Sequence, residues 1–539
     1  MDYTDKAKKL RNKLRRFKRL SVLRHVIDYL QIPEDGTFST AKKMLWLPFL
    51  MIEWLFQVHE YSNAKTASKK QVMSLLNQMY DLQSEATQLD HSTNIDLTLR
   101  RMVIGQIWTQ EDTKNHWFTL TRLYTLLMDS EYREYFESSF REANGIELWD
   151  FFAISLWSIL HVDLVSSAIR YEQIITELTP HFELDTVINF FIMTGASIAQ
   201  LEEILRSTSN ESITTDAYFS ETRLLKTPFF FFDKGVLTPH KTLATKSLCD
   251  FVVDNLRQAD TNAFMYKFSK LFETYIGVVI GESCDDFTTE TDIKALYKES
   301  NLDGKVTDFL LQKDDTAVFI EAKGLGPDQK MKVSDDAACV KNRLSGGLLR
   351  GVGQAFGCAK TLYENELIDS VPNSNRYSVV VTYRSFYISS AKKIVEQIAP
   401  DLLDELHQEF GNQIPLENIY FMSIREFEGV MKACADTSSP LAFFLNYCTK
   451  QDADPQTACF DVFQHLSRFV QLYSDASGTP IGSEYINQGK DQLFDTLYEC
   501  IDRNKNFWKK RGTSGLPQYA WAHNQVKTAL GQKANFDGN

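Results

Sequence analysis

The sequence predicts a protein of mixed class, with an all-α N-terminal domain (residues 1–215), an α/β domain (216–437) and an α-helical C-terminal region (438–539). Two observations indicate this division. Apolar residues recur at helical spacing before residue 215 and after residue 438, whereas short, β-prone apolar runs lie between them. With 539 residues, 43% of them hydrophobic, the chain is long enough to bury several cores of ordinary domain size.

The N-terminal domain is predicted as consecutive amphipathic helices, for example Lys69–Leu89, Asn115–Leu127 and Leu148–Ile159. Its most apolar run, Met44–Val58, contains a proline and a glutamate and is shorter than the ~20 residues that a membrane helix needs. We therefore expect this run to form a buried helix, and we expect no membrane contact.

The first 25 residues are strongly basic. They contain ten lysines and arginines against two aspartates, a net charge of +8, although the whole chain carries −13. Seven apolar residues recur at helical spacing between residues 10 and 30, which predicts one packed face and one basic face: Leu10, Leu14, Phe17, Leu20, Leu23, Ile27 and Leu30. Three roles stay open for the basic face: following a phosphate backbone, pairing with an acidic partner, or a plain solvated surface.

A hairpin is predicted over Thr227–His240, turning at Asp233-Lys234-Gly235, and we expect it to join the helical domain to the α/β domain. Its four consecutive phenylalanines could stack on bases, but such a run more often fills both faces of a packed strand. We favour packing.

The α/β domain is predicted to contain, in order, a helix, a strand, a hairpin, a second helix, a strand, and a further strand followed by a helix. The corresponding ranges are 262–279, 291–297, the two arms 306–311 and 317–323, 348–363, 377–383, 420–424 and 430–435. Three charged residues lie within the apolar hairpin. Because residues i and i+2 of a strand face the same side, Glu321 and Lys323 share one face of its second strand, and Asp308 lies within cross-strand reach.

Burying these charges is costly unless they pair with each other or with a cation. A divalent ion held by Asp308 and Glu321 would supply the missing positive charge. The pattern therefore indicates the site of a metal-dependent phosphodiesterase, an enzyme that must stabilise charge on the scissile phosphate and activate a water.

Residues 262–323 resemble the PD-(D/E)XK nuclease superfamily, which has the restriction-endonuclease-like fold with the core order αβββαβ. Three residues match the family motif: Asp308, Glu321 and Lys323. Glu273 lies on the first predicted helix and Gln354 on the second, where branches of the family carry an acidic residue and a glutamine. Thr307 replaces the proline of the family name.

The resemblance implies a role for each matched residue. Asp308 and Glu321 would hold Mg²⁺, for which Mn²⁺ can substitute, with the backbone carbonyl of Ala322 completing the shell. Lys323 would orient or activate the attacking water. Glu273 would bind a second metal or be a surface carboxylate, and Gln354 would contact the water or phosphate or be an amide at the edge of the core.

A second basic set follows the hairpin, interspersed with glycines, and we expect a flexible loop that closes on a substrate strand: Lys330, Lys332, Lys341, Arg343 and Arg350. The expected activity is that of a magnesium-dependent nuclease, with DNA favoured as substrate. A large helical domain ahead of a nuclease is the layout of restriction or antiphage defence effectors. Two alternatives stay open: a non-catalytic nucleic-acid-binding adaptor in a processing complex, and a nuclease directed at RNA.

Eight cysteines are scattered without any Cys-x-x-Cys pair, which argues against a zinc ribbon and against a secreted disulfide framework. The N-terminus lacks the apolar stretch of a secretory signal. We therefore expect a cytoplasmic protein. A protein partner or homo-oligomer is compatible with the sequence, since paired cuts across a duplex often need two sites.

Overall fold

The computed structural model describes residues 2–33, 43–87, 94–109, 113–207, 213–284, 286–473 and 482–531. The chain divides into two compact units. The first comprises residues 1–93, 102–261 and 488–539, and the second comprises 94–101 and 262–487. The protein is thus mixed in class, largely helical with two small mixed sheets.

The boundaries predicted at residues 215 and 437 do not coincide with those of the two units. Helix Leu516–Gly531 packs against Tyr171–Leu178 and Leu184–Thr194 of the first unit, whereas Leu441–Ala453 packs against Ile424–Asp436 of the second. The C-terminal region therefore supplies helices to both cores. Apolar spacing identifies a helix but not the partner against which it packs, and this is why the predicted boundaries differ.

The first unit is built mainly of helices. Within the described residues its helices are Tyr3–Leu14, Arg19–Leu30, Trp46–Gln57, Lys69–Asp81, Gln83–Thr87, Thr113–Met128, Arg133–Asn144, Leu148–Leu164, Tyr171–Leu178, Leu184–Thr194, Ile198–Arg206, Thr215–Phe219, Lys241–Ala259 and Leu516–Gly531, with 3₁₀ turns at Arg223–Lys226 and Gly512–Gly515. Two more, Ile95–Ile107 and Glu484–Arg511, each contain a boundary between the units.

The predicted buried helix is confirmed as Trp46–Gln57, in which every residue after Trp46 is buried. The predicted helices near residues 115 and 148 are also present. The predicted Lys69–Leu89 forms two helices, Lys69–Asp81 and Gln83–Thr87, and its last two residues lie outside the described part. The basic N-terminus forms two helices, Tyr3–Leu14 and Arg19–Leu30, which are connected by the residues Arg15–Lys18. Leu20, predicted on the packed face, is 46% exposed.

The first unit also holds a four-stranded sheet in the order β1 (Ala168–Arg170), β4 (Gly235–Leu237), β3 (Phe229–Phe232), β2 (Gly195–Ala196). Strands β3 and β4 form the predicted hairpin. The hairpin belongs to the first unit and is not a linker to the α/β region. Phe229, Phe230 and Phe231 are buried, so this run packs in the interior, as predicted.

The second unit combines a five-stranded sheet with helices. Its strands lie in the order β5 (Thr288–Thr289), β6 (Phe309–Lys313), β7 (Thr316–Lys323), β8 (Arg376–Thr382), β9 (Ile419–Ser423). The first three are antiparallel and the last three are parallel. Its helices are Thr261–Gly281, Glu290–Glu299, Gln329–Val333, Ala337–Leu344, Arg350–Glu364, Ala391–Gln397, Leu402–Phe410, Ile424–Asp436, Leu441–Ala453 and Val462–Tyr473, with a π-helical turn at Ser345–Leu349 and 3₁₀ turns at Asn373–Asn375 and Leu416–Asn418.

The first strand predicted in this region, 291–297, is wrong: these residues lie in the helix Glu290–Glu299, and only Thr288–Thr289 form a strand. Thr289 and Asp292 form a capping box that starts the helix. Ile293 and Tyr297 are buried one helical turn apart, which anchors one face of the helix. The other predicted strands and helices are present within about three residues of their predicted bounds, except that the last helix begins at Ile424, six residues before the predicted start.

The prediction of a flexible loop for the glycine-bearing segment after the hairpin is also wrong. Residues 329–349 form two short helices and the π-helical turn, which lead directly into helix Arg350–Glu364. Aspartate side chains cap both short helices: Asp328 accepts a hydrogen bond from the Met331 N–H, and Asp336 accepts one from the Ala338 N–H.

Across the described ranges, no single helix combines the length and apolar character needed to cross a membrane, and one pair, Arg133–Asn144 with Leu148–Leu164, reaches the threshold only when taken together across a 74° bend. All eight cysteines are free thiols.

Candidate active site

The hairpin β6–β7 fixes the position of the first two charged residues. In its antiparallel register Phe309 pairs with Ile320, so Asp308 immediately precedes β6 beside Glu321. One Asp308 oxygen, Oδ2, accepts a hydrogen bond of 2.7 Å from the backbone N–H of Ala322. The Thr307 hydroxyl donates to the carbonyl of Ile320 at 2.8 Å, so the residue in the family's proline position ties the two strands together.

Lys323 connects the hairpin to the helix Arg350–Glu364. Its ammonium lies 2.6 Å from Glu321 Oε2 and donates a second hydrogen bond of 3.0 Å to Gln354 Oε1. Four residues predicted for the site, Asp308, Glu321, Lys323 and Gln354, are therefore brought together by two adjacent strands and one helix.

Burial makes this cluster electrostatically unusual. The Glu321 side chain is fully buried, and the Lys323 side chain is 17% exposed. Burial, followed by the nearby Asp308 carboxylate, raises the pKa of Glu321 from 4.5 to about 8. Burial raises the pKa of Asp308 from 3.8 to about 6, against the stabilising Ala322 N–H and Lys323. The negative charge of both carboxylates in their ionised forms is therefore only partly compensated by the groups around them.

Glu273 lies on the helix Thr261–Gly281, as predicted, and forms an ion pair of 2.9 Å with Lys270. The structure also brings two residues to the site that the sequence patterns did not reveal. Glu290 donates its backbone N–H to the carbonyl of Asp308 at 2.8 Å, and the carboxylates of Glu273 and Glu290 both act on the pKa of Asp308. Lys270 interacts electrostatically with all three carboxylates, and the Glu273 hydrogen bond is the largest cause of its raised pKa.

Sequence signals for these two residues were present. Thr289-x-x-Asp292 is a helix-start pattern, and recognising it would have placed Glu290 at the first turn of a helix. Lys270 lies three residues before Glu273, on the same face of its helix. The proximity of Glu290 to Asp308, however, depends on the pairing of β5 with β6, and that of Lys270 depends on the packing of the helix Thr261–Gly281. No local pattern specifies either.

The five predicted nucleic-acid-binding residues lie on the helices that follow the hairpin. Arg343 forms an ion pair with Asp328, and Lys341 lies 3.7 Å from Glu405. Lys330 and Arg350 are exposed, and Lys332 is half-buried. Part of this basic set is therefore already neutralised within the protein, which leaves Lys330 and Arg350 as its most accessible cations among the described residues.

Glycine packing positions the helix that carries Gln354. A Cβ at Gly351 would lie 3.1 Å from Val380 Cγ2 and 3.5 Å from Glu321 Cβ, so a larger residue would crowd the contact between this helix and the sheet. Gly353, two residues along the same helix, faces open space.

This difference predicts opposite outcomes for one substitution at the two positions. We expect Gly351→Val to lower the free energy of unfolding by about 1–3 kcal/mol, because added methyl groups overpack the contact with β8. We expect Gly353→Val to leave it unchanged or raise it by a few tenths of a kcal/mol, since valine has a better helix propensity than glycine. Urea denaturation of both variants measures the difference, and equal effects at the two sites would contradict this packing.

The donor set fits a hard divalent cation. Glu321 Oε1 is buried and has no hydrogen-bond partner among the described residues. The Thr307 side chain is near enough to lower the pKa of Glu321, but its hydroxyl donates to the Ile320 carbonyl, so one carboxylate oxygen is left for another ligand. Two carboxylates with raised pKa values gain most from a nearby positive charge. Within the described residues no three His, Cys, Asp and Glu side chains form a metal-holding group, but Mg²⁺ is commonly held by one or two carboxylates with waters and substrate phosphates.

Comparisons of the chain with protein-family models, with curated proteins and with solved structures found no match.

Proposed function

We propose that the protein is a magnesium-dependent nuclease of the PD-(D/E)XK type that hydrolyses phosphodiester bonds, with DNA as the favoured substrate. The observation that supports this most strongly is the junction of Asp308, Glu321, Lys323 and Gln354 at one end of a buried hairpin, where a carboxylate oxygen of Glu321 has no partner among the described residues. A purely structural hairpin has no need of three charged groups at this cost in desolvation.

Each residue of the cluster has a task in this chemistry. Asp308 and Glu321 would hold Mg²⁺ or Mn²⁺, with the carbonyl of Ala322 as a further donor. The bound ion would supply positive charge to the scissile phosphate and make a water more acidic. Lys323 is held at a defined position by Glu321 and Gln354, from which its ammonium can orient the attacking water and stabilise developing charge.

Glu273, Glu290 and Lys270 extend the charged cluster around Asp308. Glu273 and Glu290 can accept hydrogen bonds from metal-bound water, and Lys270 balances their charge. Lys330 and Arg350 offer exposed cations to the phosphates of the substrate strand. The combination of a helical unit with this site supports a role as a restriction or antiphage defence effector, by analogy of layout alone.

The test is incubation of the whole chain with plasmid, linear duplex DNA, single-stranded DNA and RNA, each with Mg²⁺, Mn²⁺ or EDTA. We expect cleavage of DNA with either metal, none in EDTA, and none by Asp308→Asn, which keeps the shape and the acceptor for the Ala322 N–H. Cleavage of RNA alone would reassign the substrate. Cleavage of no polymer under any condition would overturn the proposal and favour a non-catalytic adaptor.

A further inference from the structure

A basic surface is assembled in the first unit at the junction of its first two helices. The connecting residues Arg15–Lys18 pair with the segment around residue 65. The Lys65 N–H donates to the Arg16 carbonyl at 2.9 Å, and the Lys18 N–H donates to the Lys65 carbonyl at 2.8 Å. Arg16, Lys18 and Lys65 therefore lie on two adjacent backbone segments, although 46 residues lie between Lys18 and Lys65 in the chain.

The same segment runs on beside the second helix. The Ala67 N–H donates to Ser21 Oγ at 2.9 Å, and His25 Nε2 lies 3.2 Å from the Ala67 carbonyl. Helix Lys69–Asp81 begins two residues later with Lys69 and Lys70. We define the N-terminal basic surface as the five cations that this arrangement brings together: Arg16, Lys18, Lys65, Lys69 and Lys70.

All five side chains are exposed, and none forms a hydrogen bond or ion pair within the described part of the chain. Two other cations of the first two helices are paired: Lys6 forms an ion pair with Glu85, and Arg19 forms an ion pair of 2.5 Å with Glu202. The nearby carboxylate of Glu60 accepts a hydrogen bond from the Arg19 N–H and caps that helix. The surface thus keeps its cations unpaired while adjacent cations are neutralised.

Such a concentration of like charge disfavours the folded state unless an anion relieves it. The first turn of helix Lys69–Asp81 contains two lysines and no acidic residue, although the helix dipole favours anions there. A ligand with several linked negative charges suits cations that lie on two adjacent backbone segments and at the start of a helix.

The surroundings favour a phosphate backbone over a lipid or a protein. Interfacial membrane helices present a whole apolar face, but the apolar faces of both helices here are buried, and Leu20 is exposed between charged residues. Protein interfaces usually centre on an aromatic or apolar anchor. Here the exposed aromatic residue, Tyr61 at 37% exposure, has the Arg15 guanidinium over its ring, 4.4 Å from the centroid. Cations grouped around a ring that already carries a guanidinium suit contact with phosphates, and such contact carries no sequence preference.

We infer that the N-terminal basic surface binds the phosphate backbone of duplex nucleic acid without sequence preference. The five residues lie outside the candidate active site. Because DNA binding is measured without divalent metal, the result of the binding experiment does not depend on whether the protein is a nuclease.

The experiment measures binding of a fluorescein-labelled DNA duplex to the whole chain by anisotropy, in EDTA and at several salt concentrations. The test variant is Lys69→Gln/Lys70→Gln. The matched control is Lys509→Gln/Lys510→Gln, an exposed lysine pair in the same unit with the same change in charge. Glutamine is a good helix former and leaves the Ser68–Gln71 capping box intact, so we expect the test variant to keep the wild-type melting temperature.

We expect the test variant to bind at least about tenfold more weakly at low salt. Its slope of log K against log salt should be smaller by about 2, because the variant neutralises two phosphates fewer than the wild type. Two duplexes of unrelated sequence should bind alike. Three outcomes would overturn the inference: no binding by the wild type, equal weakening in test variant and control, or tighter binding to anionic lipid vesicles or to a polyglutamate peptide than to the duplex.

Discussion

Replacing Lys323 with methionine is expected to reduce the rate of DNA cleavage by about 10³-fold. Positioned proton-transfer groups and charge-stabilising donors contribute on the order of 10²–10⁴-fold to such reactions. Lys323 is held by two acceptors, Glu321 and Gln354, so its ammonium occupies one defined position. Methionine preserves the apolar stem of the side chain and removes only the charge.

The fold should survive this change near neutral pH, because Glu321 can take up a proton when its cationic partner is lost. A single-turnover assay on duplex DNA, with Lys298→Met as the control, measures the effect. Lys298 is an exposed lysine of the same unit, on the helix Glu290–Glu299. If Lys323→Met kept more than a tenth of the wild-type rate, Lys323 would have no part in the chemistry.

Replacing Glu321 with glutamine is expected to stabilise the metal-free protein at alkaline pH. The pKa of Glu321 is about 8 in the folded state, against an ordinary value of 4.5. The folded protein therefore binds this proton more tightly than the unfolded chain, and stability falls as pH rises from about 4.5 through 8. The full shift corresponds to an upper limit on the order of 5 kcal/mol.

Glutamine has the same shape and cannot ionise, so this loss should disappear. In EDTA we expect Glu321→Gln to exceed the wild type in free energy of unfolding by about 2–4 kcal/mol at pH 9 and to match it within about 1 kcal/mol at pH 5. Urea denaturation across this pH range provides the measurement, with Glu299→Gln, an exposed glutamate, as the control. If the free energy of unfolding changed with pH in the same way for the wild type and for Glu321→Gln, Glu321 would not be a buried acid with a raised pKa.

Local patterns in the sequence predicted the hairpin, the helices at 262–279 and 348–363, and the strand at 377–383. Alternating or continuous apolar runs bounded by polar turns are strong signals, and they placed Asp308, Glu321 and Lys323 on adjacent strands. The resemblance implied that Gln354 lies near the site, but the hydrogen bond between Lys323 and Gln354 was not predicted.

Other features depend on information that local patterns do not carry. The segment 291–297 has β-prone residues, but its capping box and the buried pair Ile293 and Tyr297 make it a helix. The segment 329–349 is helical because Asp328 and Asp336 cap its two short helices and Gly347 packs against Leu325. These interactions outweigh the conformational freedom of Gly346 and Gly347. The partners of the C-terminal helices, and hence the limits of the two units, are set by tertiary packing.

The partner-free oxygen of Glu321 was also beyond the reach of the sequence. Three features of the structure reveal this oxygen: the register of β6 with β7, the hydrogen bond from the Ala322 N–H to Asp308, and the hydrogen bond from the Lys323 ammonium to the other oxygen of Glu321. A motif shows which residue types are present. Only the hydrogen bonds in the structure show which carboxylate oxygen remains available to bind a metal ion.

The central claim is that Asp308 and Glu321 together bind a divalent cation, and calorimetric titration of Mn²⁺ and Mg²⁺ into the metal-free protein tests it most directly. We predict saturable binding to the wild type and to Lys323→Met, and none to Asp308→Asn, since only the last removes a ligand charge. Absence of binding to the wild type at millimolar metal, or equal binding to Asp308→Asn, would contradict the claim.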